Sequence, residues 1–451
     1  MLLSVIGAGS PVSGEPGPRE RPVPALVHGG ADEVRGPIDG AETTSPVTRH
    51  ASRWFDRPYA GAVIALAAGP LQAPPVEDLR RAVAELLRAA PDGPAALVVR
   101  DGLAVRRHAM DVEALAARLV VPTAPLPPLP DPATALADLC VTQPPLTDGA
   151  PFRLAVGPDN VILSMQHVVG DAGVANALLA GLVLTALGQG LPEPLVAPTT
   201  PGVARSVLRT MTRSLRSVPR THPVTAPTRP GEVWQPVHGL SHLSLVEPAL
   251  RHLKLRARAL GVRRSSLLVA LVDRALAQHG LPAADDVRNV VVDCRRYLPA
   301  GSVVRGNFSA GAAMTADWAD PLDVDATITT SLERARPLLH LVAGSVQSRL
   351  PGGPVRPLAA TGPVRVHPDY SVVGPVRWVG SLPWTGVPNY VSTTRPYRPD
   401  GLGVIACEVR SVLQVSIGYD AAVVDPAAVD AALAGLGDLL RDPPADDAPA
   451  G

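Results

Sequence analysis

A histidine and an aspartate that can act in one catalytic site, His167 and Asp171, stand four residues apart near the middle of the chain. From residue 166 to residue 173 the segment reads Gln-His-Val-Val-Gly-Asp-Ala-Gly. A histidine titrates near neutral pH and can take a proton from a nucleophile, and an aspartate can fix a turn or orient its neighbours. The spacing alone decides nothing, because His28 and Asp32 repeat it in a stretch without a hydrophobic period.

The position of His167 between two predicted elements separates it from His28. The apolar segment 161–167 is predicted as a strand, and the segment 174–187 has a helical period. Gly170, Ala172 and Gly173 are small residues that allow a tight turn and the close approach of a substrate. The residues alone still favour a structural histidine with satisfied hydrogen bonds over a catalytic base.

Three other kinds of site lack the sequence context that they need. The glycines of Val5-Ile6-Gly7-Ala8-Gly9 are not followed by the third glycine and helix of a dinucleotide fingerprint. No Gly-x-Ser-x-Gly elbow supports a hydrolase triad. No His-Glu-x-x-His segment and no second histidine near Asp171 supports a metal hydrolase, so no metal site is expected.

Hydrophobic periods and turn residues predict helices and strands in both halves of the chain. The predicted helices cover residues 76–87, 174–187, 246–260, 266–278, 326–346 and 426–440, and the predicted strands cover 95–100, 103–108, 152–156, 161–167, 287–294, 404–410 and 412–419. Ser265 or Ser266 is the expected N-cap of the fourth helix. Because strands and helices do not alternate strictly, the pattern favours an α+β fold, a mixed α/β sandwich, over a doubly wound sheet.

Composition predicts a flexible leader, a crossover and a flexible tail. Residues 1–50 and 442–451 are rich in Pro, Gly and polar residues and are predicted to be disordered. Residues 194–235 form the predicted crossover between two halves. From 194 to 230 this segment has six arginines and no acid, which favours a solvated linker helix over a docking face for an acidic partner.

The charge balance and the cysteines exclude several classes of partner and compartment. Acidic and basic residues number 41 each, so no net charge directs the chain to nucleic acid or to a membrane surface. No apolar run is long enough to span a membrane, and no signal peptide is predicted. Cys140, Cys294 and Cys407 have no metal-ligand spacing and form no disulfide framework. A reducing, cytoplasmic setting is expected.

The segment around His167 resembles the H-H-x-x-x-D-G motif of the condensation-domain superfamily, which includes chloramphenicol-acetyltransferase-like and wax-ester acyltransferases. His167 and Asp171 match the second His and the Asp of the motif, while Gln166 and Ala172 replace its first His and its Gly. The segments 152–156 and 161–165 look like the paired strands that precede the motif. The resemblance extends over most of residues 50–441, with segments 79–87, 265–278 and 290–296 similar to other family elements.

This resemblance implies two chloramphenicol-acetyltransferase-like lobes that form a pseudo-dimer with a central tunnel. Residues 51–193 would be the N-terminal lobe and residues 236–441 the C-terminal lobe. His167 would be the general base, or would stabilise the tetrahedral intermediate. Asp171 would be structural and held by Arg295, with Arg296 as the alternative partner.

The resemblance also implies which residues line the substrate channel. Five residues are expected there: Gln166, Gly170, Ala172, Asn307 and Ser392. Gly306-Asn307 resembles a short family motif near the tunnel. Val387-Pro-Asn-Tyr-Val-Ser392 takes the approximate place of the family's D-F-G-W-G segment, which favours free-standing acyltransferases over modular nonribosomal peptide synthetases.

The function implied is transfer of an acyl group from a CoA or carrier-protein thioester to an amine or hydroxyl acceptor, in bacterial specialised metabolism. No bound cofactor is expected, and the thioester would be a co-substrate. The expected partners are a small-molecule acceptor and an acyl or peptidyl carrier protein acting in trans. The changes at residues 166 and 172 leave one alternative, a non-catalytic condensation-like module that binds a carrier or serves as a scaffold.

Overall fold

The computed structural model describes residues 56, 59, 61–100, 103–106, 111–123, 132–143, 146–214, 237–347, 364–394, 396 and 398–441. The strands are β1 Val63–Leu71, β2 Leu97–Arg100, β3 Leu103–Arg106, β4 Val120–Pro122, β5 Phe152–Val156, β6 Val161–Gln166, β7 His238–Leu245, β8 Val287–Asp293, β9 Ser309–Thr315, β10 His367–Pro375, β11 Trp384–Thr394, β12 Gly401–Val409 and β13 Val412–Asp420. The helices are α1 Val76–Ala89, α2 Val112–Leu119, α3 Pro132–Val141, α4 Ala172–Ala186, α5 Glu193–Val196, α6 Val203–Ser214, α7 Ala249–Leu260, α8 Arg264–Gln278, α9 Pro321–Glu333, α10 Arg336–Gln347, α11 Arg377–Gly380 and α12 Pro426–Arg441.

The N-terminal lobe is built on a five-stranded sheet in the order β11-β1-β6-β5-β4. One face of the sheet packs on α1, α2 and α4 in a core that includes Leu66, Leu79, Phe152 and Leu163. α4 is buried on nearly all sides because it lies between this sheet and the helices α1, α5 and α11. α3 covers part of the other face and also packs on β7 of the second lobe.

The C-terminal lobe is built on a six-stranded sheet in the order β7-β13-β12-β10-β8-β9. β10 runs parallel to β8 and β12, while the other neighbouring pairs are antiparallel. The helices α7, α8, α9 and α12 contribute to the apolar core on one face. All nine positions of β13 are buried, because β13 is an interior strand and protein covers both of its faces.

These two sheets confirm the predicted α+β class and the two lobes. The predicted elements that match α1, β5, β6, α4, β13 and α12 are confirmed within about two residues, the usual uncertainty of element ends, while β12 begins three residues before its predicted start. The lobe boundaries stay predictions, and the structure adds one exchange across them. β11, from the range assigned to the C-terminal lobe, pairs with β1 and completes the N-terminal sheet.

Three details of the predicted elements are wrong. The helix predicted over 326–346 is two helices, α9 and α10, which separate at Ala335, where φ is +47°. Neither Ser265 nor Ser266 caps α8, whose N-cap position is Arg263. The hydroxyl of Ser266 is buried and donates to Asp325 Oδ1 at 2.6 Å, so a tertiary partner uses it instead. Ala95 and Ala96 lie in a short 3-10 turn that precedes β2.

The predicted leader and tail, residues 1–50 and 442–451, lie outside the described residues. This also holds for the Gly7-Ala8-Gly9 segment, for His28 and Asp32, and for residues 215–235 of the predicted crossover. The described part of the crossover contains α5 and α6.

Candidate active site

His167 lies in the turn that joins β6 to α4. Its backbone N–H donates to the carbonyl of Ala62 at 2.8 Å, and the Val169 N–H donates to the Gln166 carbonyl at 2.9 Å, which closes the turn. The side chain of His167 is buried, with 8% of the residue exposed. The turn therefore holds an imidazole ring inside the protein at the end of a central strand.

An amide from the second lobe fixes the ring of His167. Asn307 Nδ2 donates to the His167 carbonyl at 2.7 Å and to Asp56 Oδ1 at 2.9 Å, and both of these atoms only accept hydrogen bonds. The amide oxygen therefore faces His167 Nδ1, 2.9 Å away, and must accept a hydrogen from it. Neutral His167 then carries its hydrogen on Nδ1 and its lone pair on Nε2.

Two opposing effects set the pKa of His167: burial, which favours the neutral ring, and several contacts, which favour the protonated ring. Burial lowers the pKa of His167, and the neighbouring carbonyls, Asp171 and Asn307 offset only part of this effect. The pKa therefore lies below the usual value for histidine, so the neutral imidazole dominates at neutral pH. A neutral ring with a lone pair on Nε2 is a group that can take a proton from a substrate.

Tyr59 packs flat against the ring of His167. The two ring centroids are 4.2 Å apart and the planes differ by 13°. The Tyr59 hydroxyl donates to the Ser309 carbonyl at 2.7 Å, so the tyrosine is itself fixed by the second lobe. Burial, and next the charge of Asp171, raise the pKa of Tyr59, which keeps the phenol protonated. Tyr59 thus restricts the orientation of the imidazole.

Asp171 is the N-cap of α4, and both of its carboxylate oxygens are used within the protein. Oδ1 accepts the backbone N–H groups of Gly173 and Val174 at 3.1 and 3.3 Å. Oδ2 accepts the Phe308 N–H at 2.9 Å and the Ser309 hydroxyl at 3.2 Å. Its remaining partner is an arginine of the second lobe. This arrangement anchors the start of α4 to the segment around Asn307.

Arg295 is the arginine that reaches Asp171, with Nη1 to Oδ2 at 2.8 Å. Its Nη2 donates to the carbonyls of Val304 and Gly306 at 3.0 Å each, so the same guanidinium positions the residues that precede Asn307. Arg296 lies elsewhere, with its guanidinium 5.9 Å from the centroid of the Tyr297 ring. The ion pair joins the start of α4, four residues after His167, to the second lobe.

The ion pair also determines the charge of Asp171. Burial would raise the pKa of Asp171, but the Arg295 charge and the hydrogen bonds from Arg295, Phe308 and Val174 outweigh burial and lower it. The pKa of Arg295 is raised, since the charges of Asp171 and Asp293 outweigh the effect of its own burial. Both side chains therefore stay charged at neutral pH, and the pair is a structural clamp.

The sequence matches no protein-family model and no curated protein, but solved structures share its fold. The cyclization-docking bidomain EpoB from Sorangium cellulosum superposes with a TM-score of 0.55 at 14% identity, covering 86% of this chain and 82% of that chain. The first condensation domain of the calcium-dependent antibiotic synthetase has a TM-score of 0.54 at 16% identity, covering 86% and 92%. This chain has the condensation-domain fold.

An acetyltransferase shares the fold as well. Trichothecene 15-O-acetyltransferase from Fusarium sporotrichioides has a TM-score of 0.54 at 12% identity, covering 85% of this chain and 92% of that chain. The resemblance to the condensation and chloramphenicol-acetyltransferase-like superfamily is therefore confirmed at the level of the fold. In this condensation fold, His167 and Asn307 come from different lobes and meet between them.

Two further residues of the motif shape the turn. Ala172 is the first residue of α4 and is partly exposed. Gly170 packs so closely on α4 that an added Cβ would lie 2.7 Å from the Cβ of Val174. Because the Val174 Cβ is attached directly to the helix backbone, it cannot rotate away. Only glycine fits at residue 170 without moving α4.

Gly170→Ala is expected to destabilise the protein by about 1–3 kcal/mol, the usual cost of overpacking a core. Urea unfolding of the variant against the wild type measures this difference. Gly380→Ala is the matched control, because an added Cβ there meets nothing within 4 Å and the expected change is within about 0.5 kcal/mol. An equal stability of the two variants would contradict the close packing of Gly170 on α4.

The structure does not bring two of the predicted channel residues to the ring of His167. Gln166 Nε2 donates to the Leu146 carbonyl at 2.9 Å, within the N-terminal lobe. Ser392 is on β11, and β1 lies between this strand and β6. The Ser392 N–H approaches Ser416 Oγ at 3.3 Å, so this residue lies in the junction of the two sheets. A role for either residue in a channel stays a prediction.

Sequence reasoning missed three residues of this site, Asp56, Tyr59 and Ser309. Asp56 and Ser309 contact groups about 250 and 140 positions away in the chain, so no local spacing marks them. One signal was available for a partner like Asp56. Asn307 was singled out from the sequence, and a buried amide needs acceptors for its two hydrogens.

The described residues contain no group of His, Cys, Asp and Glu arranged to hold a metal ion. None of the helices in the described part of the chain is long and apolar enough to cross a membrane.

Proposed function

We propose that this protein is an acyltransferase that moves an acyl group from a thioester to an amine or hydroxyl acceptor. The observation that carries the proposal is the state of His167. It is a buried neutral imidazole whose Nδ1 is hydrogen-bonded to Asn307 and whose Nε2 has a lone pair. Its position between the lobes of a condensation fold supports the same function. The setting proposed is bacterial specialised metabolism.

The reaction follows from one proton transfer to His167 Nε2. The ring takes the proton of the acceptor O–H or N–H as the acceptor atom attacks the thioester carbonyl, so a C–O or C–N bond forms. The tetrahedral intermediate then collapses and the C–S bond breaks. The proton on Nε2 passes to the leaving sulfur, and the neutral imidazole returns. His167 thus acts as general base and then as general acid.

Asp171 has a structural role in this proposal. All of its described contacts are to protein donors on α4 and on the second lobe, including Arg295 and Phe308. Its fixed charge stabilises the imidazolium that forms during the reaction, since its field raises the pKa of His167. Asp171 therefore supports catalysis without contact to the substrate.

The acyl donor proposed is a thioester of CoA or of a carrier protein that acts in trans, with no resident cofactor. One solved structure with this fold is a condensation domain in complex with a substrate analogue, and another is an O-acetyltransferase. Both kinds of chemistry need a base near an acyl carbonyl. The acceptor proposed is a small molecule, and the product is an ester or an amide.

A panel of thioesters tests this function. Purified full-length protein is incubated with acetyl-, butyryl- and octanoyl-CoA and with one acyl carrier protein loaded with the same groups, each with a mixture of amines and alcohols. Mass spectrometry of the products is expected to show acceptor molecules that gain the mass of the acyl group and lose one hydrogen. Binding of the loaded carrier without any product from the panel would support the non-catalytic module instead.

The rate is expected to fall at acid pH only below the usual histidine pKa of about 6.5. The neutral ring is the active form, and burial lowers the pKa of His167, so protonation inactivates the protein at a lower pH. The measurement is kcat/KM for the best thioester and acceptor between pH 4.5 and 8, with a stable fold checked at each pH. An acid limb above about 7 would contradict the buried neutral state of His167.

A further inference from the structure

A carboxylate from the start of the N-terminal lobe holds the amide that contacts His167. Asp56 Oδ1 accepts the Asn307 side-chain Nδ2 at 2.9 Å and the Asn307 backbone N–H at 3.0 Å. Asp56 has 6% of its surface exposed and Asn307 has 1%. One carboxylate oxygen therefore fixes both the backbone and the side chain of Asn307.

This contact, together with the His167 carbonyl that accepts the same Nδ2 group at 2.7 Å, decides which end of the amide faces the imidazole. Without an acceptor at Asp56, the side chain of Asn307 could rotate by half a turn and present its NH₂ group to His167 Nδ1. Nδ1 would then have to accept, the hydrogen would move to Nε2, and the ring would lose its lone pair toward the substrate. Asp56 makes that orientation unfavourable, because its Oδ1 would face the oxygen of the amide.

The charge of Asp56 acts in the same direction as the geometry. A negative group beside the NH₂ end of the amide favours negative charge on its oxygen, which faces His167 Nδ1. The imidazolium that forms when Nε2 takes a proton is stabilised by this oxygen. The side chain of Asn307 lies between the Asp56 carboxylate and the imidazole, so the carboxylate does not contact the ring directly and the resting imidazole stays neutral.

Two other contacts from the same part of the chain hold His167, one at its ring and one at its backbone. Tyr59 is stacked on the imidazole, and the Ala62 carbonyl accepts the His167 N–H. Tyr59 and Ala62 thus contact His167 directly, and Asp56 contacts it through Asn307, all from positions shortly before β1.

We propose that Asp56 is a positioning residue that acts on His167 through Asn307, fixing the Nδ1–H tautomer and stabilising the protonated ring. This proposal rests on the proposed function of His167 as the base. The tautomer is a property of the resting protein, however, and can be measured without any substrate.

Nitrogen NMR of the full chain labelled with ¹⁵N-histidine tests the proposal directly. The protein has 11 histidines, so the signals of His167 are assigned by their loss in His167→Gln. The wild type is expected to show a hydrogen on Nδ1 and a bare Nε2. In Asp56→Ala, Nε2–H is expected to appear as a second tautomer.

Asp56→Asn separates the charge from the hydrogen bonds. The Asn oxygen can still accept both Asn307 N–H groups, so the tautomer is expected to stay as in the wild type. The protonated ring loses the nearby negative charge, so His167 is expected to titrate at a lower pH than in the wild type. Asp325→Asn is the matched control, because Asp325 Oδ1 also accepts a backbone N–H and side-chain donors, but from Arg263 and Ser266.

Kinetics provide a second readout for the same variants. Asp56→Ala is expected to lower kcat by about 10- to 100-fold, by analogy with the loss seen when a hydrogen-bond partner that orients a metal-bound histidine is removed. KM is expected to change less than twofold, and Asp56→Asn is expected to recover much of kcat. A defect of unfolding alone would appear equally in Asp325→Asn.

The outcomes distinguish this proposal from the proposed function. The wild-type tautomer and titration in both Asp56 variants would overturn the role of Asp56 and leave the proposed base untouched. An Nε2–H tautomer in the wild type would overturn both, because Nε2 would then have no lone pair for the acceptor proton. Full turnover in His167→Gln would overturn the base, while the measured tautomer would still report how Asp56 holds the ring.

Discussion

Replacing His167 with Gln is expected to lower kcat/KM by about 10²- to 10⁴-fold, the contribution of a positioned general base. Gln removes the lone pair of Nε2, and its side-chain NH₂ can still donate to Asn307 Oδ1 in place of Nδ1. The free energy of unfolding is therefore expected to change much less than the rate. Product formation is followed by mass spectrometry, and unfolding by urea titration.

A second histidine variant controls for nonspecific effects. His252 lies on α7 and its Nδ1 is 3.1 Å from the Arg441 carbonyl, on the helical side of the C-terminal lobe. His252→Gln is expected to keep the wild-type kcat/KM. Equal rates for His167→Gln and His252→Gln would remove His167 from the chemistry and would require another base.

The parts of the fold that could be predicted from sequence are those with a local pattern. α1 has apolar residues at helical spacing and is bounded by Pro74-Pro75 and Pro91, and β12 and β13 are apolar runs separated by a two-residue turn. β1 and β11 were missed, because Gly69-Pro70 and Gly386 to Pro388 interrupt their apolar residues. Their stability comes from pairing across the two halves of the chain, which no local pattern records.

A proline in the sequence marks the division between α9 and α10. Pro337 follows Arg336, the first residue of α10, and proline is common in the first turn of a helix. Ser266, in contrast, has the sequence position of an N-cap but does not cap α8. A serine before an apolar run is typical of an N-cap, but a carboxylate on a neighbouring helix, Asp325, accepts its hydroxyl.

The site divides in the same way between local and distant residues. The strand, turn and helix around His167 and Asp171 follow from the sequence, because apolar periods and small residues encode them. The contacts that set the chemistry come from the second lobe and from the stretch before β1. Arg295 and Asn307 were reached through a resemblance, and Asp56 and Tyr59 required the structure.

Asp171→Asn is expected to destabilise the protein by up to about 3–5 kcal/mol, because it leaves the partly buried charge of Arg295 with only the more exposed Asp293 as a charged partner. Asn has one acceptor oxygen where Asp has two. If that oxygen caps α4, the NH₂ group faces the donors of Arg295 and Phe308, and if it faces them, the cap is lost. Urea unfolding at pH 7 measures the difference, and the rate per folded molecule is expected to fall less than in His167→Gln.

The pH dependence of this difference tests its electrostatic origin. The pKa of Asp171 is lowered in the folded protein, so its stabilisation is fully present above the unfolded value of about 3.9 and is lost as pH falls through the folded value. The difference in the free energy of unfolding between wild type and Asp171→Asn should therefore be constant from about pH 5 to 8 and shrink in stronger acid.

Asp148→Asn is the control, because it removes a more exposed ion pair with Arg153 inside one lobe and is expected to cost at most about 1 kcal/mol. If the two variants unfolded alike, or if Asp171→Asn changed only the rate, Asp171 would not be the clamp between the lobes, and its motif position would need a direct part in the chemistry.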